Sequence, residues 1–284
     1  WTLYARPNGL YLPQGYRAGK SDSSWYDSSA WLSSLYGEGG SLGMVVTGGS
    51  GMTDISGAMK INIKADALNN LDAEMPYELT LEATLDDGSS QTVSARASLN
   101  IHPADIYIGV QQEGWSGQVN RELGFMLQTV NWQSTPVGGK KVSASLQKVD
   151  WQEREPQEGS FLPLSPIPMF TPVSTVDVIT DDAGQARISF TPQEAGNYRL
   201  ELRGEGAVSD LWVWVGGEGA PRWVSLPNQR LDISSDAAGY ESGQEAHIFI
   251  PNPLGTQTLA LITVERGKVM QTQVVSITES SYDY

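Results

Sequence analysis

The sequence predicts an all-β protein built as tandem antiparallel β-sandwiches. Three observations predict it: periodic segments alternate apolar and polar residues, Gly- and Asp-containing turns recur between them, and one turn-plus-strand pattern occurs twice. Alternation with period two describes strands with one face in a core and the other in water. Short strands separated by regular turns point to sandwiches, and 284 residues are enough for two or three of them.

The N-terminal stretch contains a Ser/Gly-rich loop from Lys20 to Gly51, with Trp25, Tyr26, Trp31 and Tyr36 interspersed. Lys60-Ile61-Asn62-Ile63 then reads as a strand, and Asp66 to Ala73 as one helical turn. Strands at Pro76–Leu81 and Val93–Ile101 flank an Asp86-Asp87-Gly88 turn, and His102-Pro103 closes the unit. A second unit opens at Asp105-Ile106-Tyr107-Ile108. It includes a strand at Val142–Leu146 and an acidic, then Pro-rich loop from Glu153 to Pro172. Further on, Tyr198, Leu200 and Leu202 alternate with Arg199, Glu201 and Arg203, and Leu211–Val215 closes the unit. Gly216 to Pro221 has the composition of a linker. Beyond it, Ala246, Ile248 and Ile250 alternate with Glu245, His247 and Phe249. About four strands follow in all, with turns at Asn252-Pro253 and Arg266-Gly267-Lys268, ending near Thr278. Four are too few to close a seven-stranded sandwich. The expected domains are therefore 1–103, 104–217 with a long loop at 153–172, and a truncated 221–284.

An internal repeat supports this division. Thr53-Asp54-Ile55-Ser56-Gly57 through Ile63 matches Thr180-Asp181-Asp182-Ala183-Gly184 through Phe190, both reading Thr-Asp-x-x-Gly-x-x-basic-Ile-x-apolar. A second echo follows each copy, in Tyr77-Glu78-Leu79-Thr80-Leu81 and Tyr198-Arg199-Leu200-Glu201-Leu202. Asp closes an Asx-turn, Gly supplies a positive φ, and the chain then enters a strand.

Composition excludes several classes. A formal charge of −15 repels phosphate backbones, which argues against nucleic acid as a partner. With no cysteine there is no disulfide, thiol catalysis, Cys-ligated zinc or iron–sulfur cluster, and two histidines make a His-rich metal site a poor expectation. No apolar run is long enough to span a membrane. The chain starts at Trp1 with no Met and no signal-like segment, and so reads as an internal piece of a longer protein.

Motifs with chemistry are few, and each has a plainer alternative. Gly39-Gly40-Ser41-Leu42-Gly43 matches Gly-x-Ser-x-Gly, but lacks the flanking strand and helix of a nucleophile elbow and a reachable His. His247, beside Glu245, is a metal ligand only if carboxylates converge on it; otherwise it is a half-exposed strand residue. His102 reads as a junction residue. Asp86-Asp87-Gly88 and Asp181-Asp182 offer oxygens for calcium, yet lack the spacing of an EF-hand loop and fit Asx-turns. A calcium ion near Asp105 has no support. Among 33 acids nothing selects a glycosidase pair. Trp25, Tyr26, Trp31, Tyr36 and Trp115 are candidates for stacking on sugars, whereas Trp212 and Trp214 share a strand face and read as core or interdomain plugs. Arg154, flanked by acids, lies in a loop that reads as an ordinary surface insertion, with a protease-sensitive segment as the alternative. The expected catalytic, cofactor-binding and metal residues are none, and no cofactor is expected.

The C-terminal segment Tyr240-Glu241-Ser242-Gly243-Gln244, Ile250-Pro251-Asn252-Pro253, and Thr263-Val264-Glu265-Arg266-Gly267 resembles bacterial members of the α2-macroglobulin family. Ser94–Leu99, His102-Pro103 and Tyr107-Ile108-Gly109 are similar to a junction between consecutive macroglobulin domains. Thr180 to Gly184, Tyr198 and Leu211-Trp212-Val213 fit the domain that follows. The resemblance runs from about Gly49 onward, and residues 1–48 are placed by context. It implies macroglobulin-like domains, similar to immunoglobulin and fibronectin-III sandwiches, within a large broad-spectrum endopeptidase inhibitor that entraps proteases after cleavage of a bait region. The chain departs from the full pattern in lacking Cys, and with it the Cys-x-Glu-Gln thioester. It also stops where the domain ahead of, or hosting, the bait insert would continue. No trapping residue carries over, and the implied role is scaffold rather than enzyme. Implied partners are target endopeptidases, met through the full-length parent, and neighbouring macroglobulin domains. The implied location is the periplasm or cell envelope of a bacterium. The absence of any Asn-x-Ser/Thr site agrees with a bacterial source. The competing expectation is a bacterial surface adhesin or carbohydrate-binding array of immunoglobulin-like modules.

Overall fold

The structure, a computed structural model, describes residues 1–8, 12, 15–21, 42–86, 88, 91–114, 116–152, 166–217, 231, 233–235, 239–252, 254 and 257–284. Strands take 56% of the residues and helix 2%, so the chain is all-β. Among the described residues, every strand pair but one short parallel contact is antiparallel.

The N-terminal sheet contains β1 (Thr2–Pro7), β2 (Met44–Gly48), β3 (Tyr77–Asp86) and β4 (Thr92–Ile101), in the order β2-β1-β3-β4. Leu3 and Ala5 lie opposite Leu81 and Leu79, which in turn lie opposite Ala97 and Leu99. With period two, this register makes one face of the sheet apolar. Leu68, Leu71 and Met75 pack against part of that face. They follow a single 3-10 turn, Ala65–Leu68, within the stretch where one helical turn is expected.

Next come β5 (Tyr107–Gln112), β6 (Gly117–Gln118), β7 (Leu123–Val130), β8 (Lys141–Gln152), β9 (Ile167–Ile179), β10 (Gln185–Phe190), β11 (Gly196–Gly204) and β12 (Ala207–Gly216). They form a three-stranded sheet, β10-β7-β5, and a five-stranded one, β6-β12-β11-β8-β9. Ile108, Val110, Phe125 and Leu127 from the first meet Leu146, Leu200, Leu202, Val213 and Val215 from the second in one core. Each of these large side chains, fully buried, contributes about 1.5–3 kcal/mol. The chain ends in a sheet of β13 (Ser234–Ser235), β14 (Ile248–Pro251) and β17 (Ser281–Asp283), and a hairpin of β15 (Thr258–Glu265) and β16 (Val269–Ile277).

The repeat in the sequence is a repeat in space. Asp54 Oδ1 accepts the amides of Ser56 and Ala58 at 2.8 and 3.0 Å, and Asp181 Oδ1 accepts those of Ala183 and Gln185 at 2.9 and 2.7 Å. Gly57 and Gly184 both take positive φ, 79° and 74°. The order β2-β1-β3-β4 also recurs as β9-β8-β11-β12, with Leu79 opposite Leu99 where Leu200 is opposite Leu211. Tyr77 and Tyr198 lead the matching strands, and each hydroxyl is tied to backbone just upstream. Tyr198 donates to the Glu194 carbonyl at 2.9 Å, and Tyr77 accepts the Asp72 amide at 3.2 Å.

Five expectations need correction. Met44–Gly48, inside the Lys20–Gly51 segment expected as loop, is β2, paired with β1. Lys60–Ile63 is not a strand: among the described residues no neighbour is aligned for it to pair with, and alternation alone does not make a ladder. Ile167–Pro172, expected as loop, is the start of β9, paired with the far end of β8. Its prolines are tolerated because β9 is a sheet edge and its register shifts at Leu146/Gln147. His247 lies just ahead of β14 and is exposed, while Phe249 is buried. A short strand, β17, follows the expected last one and pairs with β14.

Candidate functional site

Of the segment between β1 and β2, residues 15–21 lie on the two sheets of the central sandwich. Arg17 forms an antiparallel bridge to Val110 of β5, its amide donating to the Val110 carbonyl at 2.9 Å and its carbonyl accepting in return at 2.7 Å. Two residues on, the Gly19 carbonyl accepts the Asp210 amide of β12 at 3.1 Å, and the Gly19 amide donates to Ser209 Oγ at 2.8 Å. β5 is the edge of the three-stranded sheet, and β12 is paired on that side only at Val215 and Gly216, by the two-residue β6. Residues 15–21 therefore strap both open edges together, satisfying backbone groups that edge strands otherwise expose. Tyr16 and Ala18 of the strap pack, with Leu12, on Tyr107 and Val130. Burial there raises the Tyr16 hydroxyl pKa and pushes that of Tyr107 up to about 12.

A ring of charges fastens the strap. Lys20 Nζ lies 2.6 Å from Asp72 and 3.0 Å from Glu74. Glu74 takes Arg203 at 2.8 Å, Arg203 holds Glu201 at 2.9 Å, and Glu201 holds Arg199 at 2.9 Å. Arg199 reaches Asp210 at 2.9 Å, and Asp210 Oδ1 accepts the amide of Ser21, next to Lys20, at 2.7 Å. Burial alone would lower the Lys20 pKa, but its hydrogen bonds to Asp72 and Glu74 hold it above its ordinary value. Burial likewise opposes ionisation of Asp72, and is outweighed by Lys20, so that carboxyl titrates below its ordinary range. Arg203 first and Lys20 second lower Glu74. The Arg199–Asp210 pair, 11% and 6% exposed, is the desolvated part of the ring. The Lys20 and Arg203 contacts are half-open and screened by salt.

A second joint lies where β4 passes into β5. His102 stacks on Trp132 with ring centroids 4.8 Å apart, its Nδ1 is 2.7 Å from the Tyr107 hydroxyl, and Trp132 Nε1 donates to the Ala104 carbonyl at 2.8 Å. His102 is thus the junction residue expected. Trp132, its platform, carries no signal in the sequence beyond being an aromatic in the turn after β7. A third joint is Trp214 against Phe249, 6.2 Å between centroids, while Trp212 stacks on Trp151.

The remaining candidates do not converge. Asp54, Asp86 and Asp181 each spend an oxygen on backbone amides, as Asx-turns do. Glu245 and His247 are exposed, and among the described residues no three His, Cys, Asp or Glu side chains form a metal-sized group. Trp25, Tyr26, Trp31, Tyr36, Trp115, Gly39 to Ser41 and Arg154 lie outside the described residues. Among the described residues no helix is long and apolar enough to cross a membrane.

No family model and no curated protein matches the chain. Solved structures do. The native conformation of Escherichia coli α2-macroglobulin is 16% identical over the whole of this chain and 18% of that one, with a TM-score of 0.51. E. coli α2-macroglobulin activated by porcine elastase is 14% identical over 99% of this chain and 28% of that one, with a TM-score of 0.54. This chain thus spans less than a third of the solved chains it is similar to. At such identities the likeness is one of fold, and the fold it shows is that of tandem sheets in bacterial α2-macroglobulins.

Proposed function

We propose that this chain is a scaffold portion of a bacterial α2-macroglobulin-like, broad-spectrum endopeptidase inhibitor that entraps proteases after its bait region is cut. The observation that carries the proposal is the fold likeness to native E. coli α2-macroglobulin over the full chain, spanning all the sheets. The elastase-activated neighbour supports endopeptidases as partners, reached through the full-length parent. The domains proposed are macroglobulin-like units at 1–103, 104–217 and 221–284, each a partner of its neighbours. The proposed location is the periplasm or cell envelope.

In this role the chain performs no bond chemistry. Its task is to transmit movement from one sheet to the next, and the strap and charge ring suit that task. Backbone pairing at Arg17 and Gly19 fixes the strap's position, and the buried Arg199–Asp210 pair fixes its register. A rotation of the N-terminal sheet would therefore drag the edges of β5 and β12 with it. The test is whether the full-length parent shields a captured protease from large substrates, and whether Arg17→Pro, which removes the amide bonded to Val110, weakens that shielding while leaving bait cleavage intact.

A further inference from the structure

Gly216 and Gly217 have the composition of a flexible linker, yet both are held on the central sandwich. The Gly216 carbonyl accepts the Val119 amide at 2.9 Å, and a β-carbon on Gly217 would overlap the Val119 side chain. Neither glycine has a positive φ, so the site uses their lack of a side chain and not their backbone freedom. The C-terminal unit, made of the β13-β14-β17 sheet and the β15–β16 hairpin, reaches the same two residues. Ser280 Oγ donates to the Gly217 carbonyl at 3.1 Å, and a β-carbon on Gly216 would lie 3.2 Å from Ser281 Oγ. Ser280 is itself fixed within its unit: its carbonyl accepts the Asn252 amide at 2.8 Å, and Asn252 Nδ2 donates to the Glu279 carbonyl at 3.0 Å. Just upstream on β12, Trp214 packs on the buried Phe249 of β14. β14 and β17 are paired, with Pro251 opposite Ser281, so both contacts land on one sheet.

We propose that Gly216–Gly217 is a clamp and not a hinge, and that it holds the C-terminal unit and the central sandwich as one rigid body. The glycines serve the close approach of one backbone to another. β12 thereby becomes the strand shared by two joints. Its Ser209 and Asp210 hold the strap, and its Trp214 and Gly216 hold the C-terminal unit. At about 3.3 Å per residue the two joints lie about 20 Å apart along a single strand. A displacement of the C-terminal unit is therefore delivered to β12 and, through Ser209 and Asp210, to the strap. The proposal rests on distances within this chain and is independent of protease trapping.

A hinge and a clamp respond oppositely to one substitution. Gly217→Ala hardly disturbs a flexible linker, but it opens a clamp, because the added methyl collides with Val119. Since the chain has no cysteine, Ser174→Cys and Thr272→Cys place one spin label at an exposed position in each unit. Pulsed electron spin resonance then reads the distribution of distances between the labels in the 284-residue chain. The expected result is a single narrow distribution that Gly217→Ala broadens at least about twofold. Gly239→Ala, whose methyl would meet nothing within 4 Å, should leave it unchanged. Should Gly217→Ala not fold, Ser280→Ala gives the same decision, since it removes the hydroxyl bonded to the Gly217 carbonyl. A broad distribution before either substitution, or a narrow one that neither Gly217→Ala nor Ser280→Ala widens, overturns the proposal.

Discussion

Arg203 and Glu74 pair at 2.8 Å although 129 residues separate them, and the contact joins β11 of the central sandwich to the turn that leads into β3. It is one link in a ring that returns, through Arg199 and Asp210, to the strap beside Lys20. Isolated surface pairs contribute about 0–1 kcal/mol. What distinguishes this one is that the ring includes a desolvated pair, and that the strap it fastens is also held by the Arg17–Val110 bridge and the Gly19–Asp210 hydrogen bond.

The ring makes the strap sensitive to acid. Asp72 and Glu74 are held below their ordinary values of 3.8 and 4.5, so their contribution is complete above those values and is lost as pH falls through the lowered ones. Lys20, held above 10.5, contributes fully below that value and loses its effect only in strong base. Protection of the Arg17 and Asp210 amides, referenced to Leu200 and to intrinsic exchange rates, is therefore expected to be flat near neutrality. It should drop below about pH 4, and drop further in high salt.

Arg199→Met leaves Asp210 buried without its ion partner. Removing one member of a buried pair costs about 3–5 kcal/mol, and Asp210 also anchors Ser21, so the strap should loosen together with the sandwich. Urea unfolding followed by tryptophan fluorescence reads the first effect, and amide exchange at Gly19 the second. Adding Asp210→Asn should recover part of the loss, because the remaining buried group is then neutral.

The twin turns predict unequal responses to one substitution. At Gly57 a β-carbon would meet nothing within 4 Å, so Gly57→Ala costs only the left-handed backbone, about 1–2 kcal/mol. At Gly184 the same atom would lie 2.6 Å from the Thr129 carbonyl oxygen, in a strand that cannot retreat. Gly184→Ala should therefore lower the melting temperature clearly more than Gly57→Ala. Equal shifts would show that the two turns are not packed as described.

Those turns also mark how far the sequence can be read. Thr-Asp-x-x-Gly is local, so its Asx bonds and positive φ are legible from five residues, and so is the Tyr-led strand after each copy. Lys60–Ile63 carries the same alternation as β10 and still is not a strand, because pairing depends on a neighbour far away in the chain. The strap is similarly hidden. Residues 15–21 have no distinguishing composition, and their partners at Asp72, Glu74, Val110 and Asp210 are set by tertiary structure alone. Residues Ile167–Pro172 were obscured by their prolines, which forbid a central strand but not an edge.

The most direct measurement of the central claim uses the full-length parent mixed with trypsin. Residual activity is followed on a small peptide substrate and on a large protein in parallel. Steric entrapment predicts that peptide hydrolysis survives while protein hydrolysis is lost, with no need of a thioester. Trypsin left equally active on both substrates would contradict it.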